Sequence, residues 1–143
     1  MKTTWRFRLA KRGKMRFLSH LDLMRTVARA FRRAGLPLVY SEGFHPHPLF
    51  SFGPALAVGI ESEAEYFDAV LREDPGPEEE ICARLNAVLP QGLVIRAAGR
   101  PLLDGRSLAA LLDAASYHLW LAGPREALAA FPALLTRTSL PYR

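Results

Sequence analysis

The order of hydrophobic and polar positions predicts that the chain opens with a strand. Large apolar and basic side chains alternate over residues 4–9 (TWRFRL), so the apolar side chains share one face and Arg6 and Arg8 share the other. A basic turn follows at residues 11–14 (KRGK). This alternation is typical of a strand that packs one face on a core and leaves the other face polar.

A helix is predicted over residues 20–34, between two end signals. Ser19 and Asp22 match a capping box, and Gly35 is typical of the position just past a helix end. At about 100° per residue, one side of this helix is apolar. That side is formed by His20, Leu23, Met24, Val27, Phe31 and Ala34. The opposite side carries Arg25, Arg29, Arg32 and Arg33. We therefore expect the helix to bury one face and to present a basic one.

The remaining pattern completes an alternating order of strands and helices. Short strands are predicted at 38–41, 65–71 and 93–96, and a second helix runs from the acidic segment 74–80 (DPGPEEE) to Pro90. The order βαββαβ predicts an α+β fold of the ferredoxin-like type, an antiparallel sheet with two helices on one face. The expected core consists of Trp5, Phe7, Val27, Phe31, Val39, Phe67, Val70, Leu85, Val88 and Val94.

The sequence predicts two domains of unequal completeness. Residues 1–99 form the ferredoxin-like domain, and residues 100–143 form a linker and the start of a second, incomplete α/β unit packed on the first. The elements of this second unit are a helix at 107–114, a strand at 117–121 and a helix from Pro124 to about residue 135. The chain is expected to be either a natural short form or a fragment.

The net charge of +5 is distributed unevenly along the 143 residues. Residues 1–47 carry eleven Lys and Arg against Asp22 and Glu42, a net +9, whereas residues 48–90 carry a net −7. A basic first third predicts an anion-binding face, and attraction between the two oppositely charged halves is the alternative. The predicted anion-binding residues are Arg6, Arg8, Lys14, Arg16, Arg25, Arg29, Arg32 and Arg33, with Lys11 and Arg12 beside them.

Cysteine content and hydropathy argue against a disulfide-stabilised, an exported and a membrane-spanning protein. The single cysteine, Cys82, excludes a disulfide framework and an iron–sulfur or cysteine–zinc site built within one chain. No apolar run reaches signal-peptide or membrane-spanning length. These features favour a protein of the reducing cytoplasm with no membrane partner and no iron–sulfur cofactor.

Residues 16–68 contain three motifs, HLDLMR at 20–25, SEGFHPHP at 41–48 and SFGPAL at 51–56. With these motifs the first 95 residues resemble the radical-SAM-linked proteins, a bacterial domain family of unknown function. The resemblance implies a module fused to, or encoded beside, a radical SAM enzyme, often near genes for RNA processing and ribosome assembly. It implies no established activity. Asparagine is the commoner family residue where His45 stands, and lysine where Leu49 stands, so His47 is the better candidate for a shared role.

The loop at 42–54 (EGFHPHPLFSFGP) concentrates candidate chemistry. Pro46 and Pro48 push His45 and His47 toward extended backbone, so their rings should point in opposite directions and are not expected to bind one metal. The substrate-loop candidates are Glu42, Phe44, His45, His47, Phe50, Phe52 and Gly53. At least two of the three phenylalanines are expected to seal one end of the core, and the alternative is stacking on unpaired bases.

His20, His47 and Asp22 are the candidates for catalysis. A site made of the two histidines and a carboxylate, Glu42 or Asp22, would suit zinc or another divalent ion. Their spacing matches no metal motif, so no metal site is assigned. Structural histidines are the leading alternative, followed by acid–base chemistry.

Three functions follow from these features. The favoured one is an accessory module of a radical SAM system, without catalytic activity of its own. It would bind RNA, or present an RNA- or ribosome-linked substrate, through the basic helix face and the aromatic His-Pro loop. The alternatives are a metal-dependent or acid–base enzyme centred on His20 and His47, and a protein-docking domain that binds no nucleic acid. The sequence identifies neither the RNA nor the oligomeric state.

Overall fold

The computed structural model describes residues 1–101, 106–120, 122–130 and 132–133. The chain divides into two units, Met1–Asp113 and Ala114–Arg143. In chain order the first unit contains β1 (Thr3–Lys11), a 3₁₀ helix (Gly13–Phe17), α1 (His20–Arg33), β2 (Phe50–Phe52), β3 (Ser62–Leu71), α2 (Glu78–Asn86), β4 (Leu93–Gly99) and α3 (Leu108–Leu111). The second unit contains α4 (Arg125–Ala129).

The framework of the first unit is a four-stranded antiparallel sheet in the order β2-β3-β1-β4. The predicted α+β class is therefore confirmed. β1 is a central strand, in which Phe7 pairs with Phe67 of β3 on one side and with Ala98 of β4 on the other. A register shift after Arg8 leaves Arg96 as an extra residue of β4, a β-bulge that increases the local twist.

The ends of α1 follow the predicted signals. The Ser19 hydroxyl accepts a hydrogen bond from the Asp22 backbone N–H at 3.1 Å, which satisfies one of the unpaired N–H groups of the first turn. At the other end Gly35 has a φ of +66°, which favours glycine. The Leu36 N–H then donates to the Phe31 carbonyl at 2.9 Å, as in a Schellman motif. The predicted helix is confirmed.

One hydrophobic core lies between the sheet and helices α1 and α2. Six predicted core residues are confirmed as members of its buried cluster: Trp5, Phe7, Val27, Phe31, Phe67 and Leu85. Val88 is half-buried and packs against that cluster, and Val39 is buried outside it. Because the strands contribute alternate positions to this cluster, their other positions project from the opposite face of the sheet.

The core prediction is wrong for Val70 and Val94. Val70 is three positions from the buried Phe67, and Val94 is next to the buried Ile95. Both separations are odd, and successive side chains of a strand point to opposite faces. Both valines therefore project away from the core, where they are half-buried.

The prediction for the second strand is also wrong. Residues 38–41 take part in two isolated bridges, Leu38 with Leu71 and Tyr40 with Pro48, whereas the strand itself is β2, at Phe50–Phe52. The segment Phe-Ser-Phe has the period-two pattern of a strand, but it is only three residues long and follows two prolines. Pairing with β3 stabilises a strand that is too short to recognise locally.

The other elements differ from prediction mainly in length. β1, β3 and β4 extend beyond their predicted ends, while α2 stops at Asn86, whose side chain hydrogen-bonds the Ile95 backbone N–H and carbonyl at 2.8 and 3.0 Å. α3 is shorter than predicted. Residues 117–120, assigned to a strand, have no regular secondary structure, and the end of the last predicted helix lies outside the described residues.

None of the described helices is long and apolar enough to cross a membrane.

Lys11 is buried, contrary to its assignment to a basic surface turn. The residue is 1 % exposed, and its Nζ donates a hydrogen bond of 2.8 Å to the Leu18 carbonyl. Burial lowers the pKa of Lys11, and the nearby Glu65 carboxylate offsets part of this effect. Lys11 therefore ties β1 to the end of the 3₁₀ helix and contributes little to an anion-binding surface.

Phe31→Ala tests the orientation of α1. The Phe31 side chain is fully buried, and its ring lies edge-on to that of Phe7 with centroids 5.2 Å apart. Its truncation should lower the free energy of unfolding by about 3–5 kcal/mol, measured by urea denaturation. Arg32→Ala, on the exposed side, is the control and should cost less than about 0.5 kcal/mol. A loss below about 1 kcal/mol for Phe31→Ala would mean that another face of α1 packs on the sheet.

Candidate nucleic-acid interface

The outward side of α1 carries four exposed arginines, which we call the α1 arginine face: Arg25, Arg29, Arg32 and Arg33. Arg25, Arg29 and Arg33 follow one another at intervals of four residues, so they project along one line of the helix. The helix contains a single acid, Asp22, whose carboxylate lies 3.6 Å from the Arg25 guanidinium. The α1 arginine face therefore keeps most of its positive charge.

A groove of about 330 Å³ runs beside this face. Arg29 and Arg33 line it together with Thr26, and its remaining lining is apolar. The apolar lining residues are Met15, Leu18, Ala30, Val88 and Pro90. Guanidinium groups above an apolar floor can bind a phosphate while the attached sugar or base packs below.

Arg6 and Arg8 lie on the other side of the sheet. Both project from the face opposite to Phe7, so the sheet and the core separate them from the α1 arginine face. Arg6 forms a bidentate pair with Asp68, with Nε–Oδ1 at 2.8 Å and Nη2–Oδ2 at 3.0 Å, whereas Arg8 is exposed. The basic residues predicted from sequence thus form two surfaces on opposite sides of the first unit.

Acidic residues from the middle of the chain neutralise the charge around the 3₁₀ helix. Arg12 forms two hydrogen bonds with the Glu63 carboxylate, and the Arg16 guanidinium lies 3.4 Å from Glu61. The hydrogen bond between Arg12 and Glu63 raises the pKa of Arg12 and lowers that of Glu63. Lys14 is exposed. Attraction between the two halves of the chain therefore accounts for part of the charge asymmetry, but it does not reach the α1 arginine face.

His47 is held by contacts within its own loop. Ser41 Oγ lies 2.9 Å from His47 Nδ1 and accepts the His47 backbone N–H at 3.1 Å. The Ser41 N–H in turn donates to the His47 carbonyl at 2.8 Å. These three contacts close the loop and leave the His47 side chain exposed. Ser41 is a site residue that sequence reasoning missed, because no recognised motif pairs a serine with a histidine at this spacing.

The three loop phenylalanines have two different environments. Phe44 is fully exposed at 102 % of its reference area, beside the exposed Glu42 and His45. Phe50 and Phe52, in contrast, lie on β2 and pack against the core. The expectation that at least two of the three seal the core is confirmed, and Phe44 is the one that can contact a partner.

Gly53 has a packing role. Its backbone N–H donates to the Tyr66 carbonyl at 3.0 Å, and a Cβ added at Gly53 would lie 2.8 Å from Leu112 Cδ1. Gly53, named above as a substrate-loop candidate, therefore lies close to a side chain of its own unit.

His20 and Asp22 are each engaged with near neighbours. The half-buried His20 ring lies edge-on to Phe52, with centroids 5.3 Å apart. The Asp22 carboxylate accepts a hydrogen bond of 2.8 Å from the Ser19 hydroxyl. Among the described residues, no three side chains of the metal-binding types come together.

His47→Ala tests whether the loop histidine has a functional role. The substitution removes a hydrogen bond between exposed groups, so the free energy of unfolding should fall by no more than about 1 kcal/mol. If His47 acts in a site, the folded variant should fail to complement a strain that lacks the gene. Thermal unfolding and growth measure the two effects.

His45→Asn is the control for this experiment. The family resemblance associates asparagine with this exposed position, so stability and complementation should both be retained. If His47→Ala instead lowers the melting temperature strongly and keeps its function per folded molecule, His47 is a structural residue.

Comparison with known proteins places the chain in a family. A search of the curated proteins finds no match. A family model described as an uncharacterized protein conserved in bacteria matches residues 5–142. The chain therefore belongs to this uncharacterized bacterial family, DUF2344.

Proposed function

We propose that this protein is an RNA-binding accessory module, without catalytic activity of its own, that works with a radical SAM enzyme. The α1 arginine face is the observation that carries the RNA-binding part of the proposal. Its four exposed arginines share their helix with only one acid. Arginines spaced along one line can contact successive phosphates, and guanidinium groups bind phosphate in a bidentate manner.

Two features of the first unit favour a single strand over a duplex. The adjacent groove has an apolar floor, and Phe44 presents a fully exposed ring elsewhere in the same unit. Unpaired bases stack on exposed aromatic rings, whereas paired bases are inaccessible to them. Phe44 would also suit a pocket on a protein, so a protein-docking domain is the second candidate function.

We assign the fold to the ferredoxin-like type. The strand order β2-β3-β1-β4, the alternation of strands and helices along the chain, and the packing of α1 and α2 into one core support this assignment. Four-stranded sheets of RNA recognition modules bind single strands. This parallel is one of architecture, and it adds support only in combination with the basic surfaces.

The radical SAM partner is inferred from the resemblance of residues 16–68. An iron–sulfur cluster is held by several cysteines, and this chain has only Cys82. Burial raises the pKa of the Cys82 thiol, and the charges of Glu78 and Glu79 raise it further, so this thiol is not activated. The partner would therefore supply the cluster and its chemistry, in the cytoplasm.

An enzyme centred on His20 and His47 has less support. Each histidine is engaged with a neighbour, His20 with Phe52 and His47 with Ser41. The described residues contain no cluster of three metal-ligating side chains around either one. The exposed His47 could still act as a general acid or base. The complementation experiment with His47→Ala, described above, tests this part of the enzyme hypothesis.

Replacing Arg25, Arg29 and Arg33 together with glutamine tests the proposed function. The three side chains are exposed, so the fold should be retained. The slope of log K against log salt concentration, here called the salt slope, is negative. Each phosphate contact that is lost should reduce the magnitude of this slope by about 0.7 for a single strand. Fluorescence anisotropy of a labelled single-stranded RNA at several salt concentrations should show weaker binding and a shallower slope.

Lysine at the same three positions is the matched control. It keeps the charges, so it should keep most of the affinity and of the salt slope. The proposal is wrong if the wild-type protein binds RNA no better than an unrelated cationic domain of equal charge. If the glutamine variant then loses a radical SAM enzyme in a pull-down, the α1 arginine face is a protein-docking surface.

A further inference from the structure

The sheet of the first unit has a second face that the helices α1 and α2 do not cover. The core takes the alternate positions that include Phe7, Phe67 and Ala98. The opposite positions of β1, β3 and β4 project from what we call the open sheet face, whose central residues are Arg6, Arg8, Tyr66, Asp68, Ala97 and Gly99. Of these residues, only Arg6 and Arg8 were among the anion-binding residues predicted from the sequence.

Register places a tyrosine and an arginine side by side at the middle of the open sheet face. Arg8 pairs with Tyr66 on β3 and with Ala97 on β4. Directly opposed residues of an antiparallel pair have Cβ atoms about 4.5–5.5 Å apart, so the Tyr66 ring and the Arg8 side chain are neighbours. Tyr66 is half-buried and Arg8 is exposed.

Small residues on β4 create a shallow depression next to this pair. Ala97 and Gly99 fill little space. The depression of about 280 Å³ is lined by both of them together with Arg6, Arg8, Tyr66, Ala98, Arg100 and Pro101. A Cβ added at Gly99 would meet no atom within 4 Å. The volume lies just below the range of about 300–1,000 Å³ for small-molecule pockets, which suits one flat group lying on the sheet.

The charges around the depression leave Arg8 available to an anion. Asp68 holds Arg6 in a bidentate pair, and Asp74 accepts a hydrogen bond of 2.5 Å from Arg100. The Arg8 side chain makes no hydrogen bond or ion pair with any other residue that the structure describes, although its charge helps to lower the pKa of Glu63. A guanidinium beside a planar ring and an apolar recess matches a phosphate attached to a base.

We propose that the open sheet face binds one nucleotide of a single-stranded RNA, with its base stacked on Tyr66 over the depression and its phosphate bound by Arg8. This site rests on the proposed RNA-binding function and locates a part of it. It lies on the opposite side of the sheet from the α1 arginine face. The two surfaces therefore contact different segments of the strand and can be removed independently.

Two substitutions remove the stacking site without removing charge. Tyr66→Leu deletes the ring, and Gly99→Val fills the depression at a position where the added side chain has room and strand geometry favours valine. Loss of one base stack should weaken binding of a labelled single-stranded oligouridylate by about 5- to 150-fold. The salt slope should stay unchanged, because no phosphate contact is lost. Tyr66→Phe keeps the ring and should bind as the wild type does.

Arg8→Gln should instead reduce the magnitude of the salt slope by about 0.7, because it removes one phosphate contact. Arg72→Gln removes one exposed charge elsewhere in the unit and is its control. A double-stranded RNA should bind the Tyr66→Leu variant as tightly as the wild type, since its bases cannot stack on the sheet. Thermal unfolding verifies that each variant is folded.

The outcomes separate this site from the proposed function. If the wild type binds oligouridylate, and folded Tyr66→Leu and Gly99→Val bind it equally well, the open sheet face is not a nucleotide site and the proposed function stands. If these two variants lose affinity while the α1 glutamine variant does not, this site is supported and the role of the α1 arginine face is wrong. If the wild type does not bind single-stranded RNA, both proposals fail.

Discussion

The packing of Phe7, Phe31 and Phe67 is the contact on which the first unit depends. Phe7 and Phe67 stack across the two central strands with centroids 5.0 Å apart, and Phe31 of α1 meets Phe7 edge-on. Phe50 and Phe52 extend the cluster to the edge strand β2, where Phe52 stacks on Phe67 at 5.1 Å. Aromatic pairs of this geometry contribute about 0.5–1.5 kcal/mol beyond the burial of their area. They also fix how each element is rotated about its axis.

Both basic surfaces follow from this rotation. Since Phe31 points at the sheet, residues on the far side of α1 must face solvent, and the sequence places arginines there. Since Phe7 and Phe67 point at the helix, their strand neighbours Arg8 and Tyr66 project from the opposite side of the sheet. The aromatic cluster thus separates two candidate RNA contacts by the thickness of the unit.

Ion pairs decide which of the basic residues remain available. Arg6 pairs with Asp68, and the residues around the 3₁₀ helix pair with Glu61 and Glu63. The pairs around the 3₁₀ helix are exposed and contribute little to stability, about 0–1 kcal/mol each, so their main effect is on the surface potential. The α1 arginine face and Arg8 keep their charge for a ligand.

Sequence patterns were sufficient for elements whose signals are local. The capping residue Ser19, Gly35 and the spacing of Val27 and Phe31 defined α1 and its buried side. β2 was missed because a three-residue strand is stabilised by its partner β3 and not by its own pattern.

The nucleotide site proposed on the open sheet face was missed for a similar reason. Alternation along β1 predicts that Arg8 projects away from the core, but only the pairing of β1 with β3 and β4 shows which residues lie beside it. Arg8 was identified by its charge alone, and Tyr66 carried no signal in the sequence until the register placed it beside Arg8. Burial of Lys11 likewise depends on the 3₁₀ helix, whose Leu18 carbonyl accepts the lysine.

The central claim is that single-stranded RNA contacts both sides of the first unit, the α1 arginine face and the open sheet face. Titration of isotope-labelled protein with a single-stranded oligouridylate, followed by NMR, tests it most directly. We expect shifts at Arg29 and Arg33 and at Arg8, Tyr66 and Gly99, while the signals of Phe7 and Phe31 in the core stay in place. The absence of shifts, or shifts confined to residues outside both surfaces, would contradict the claim.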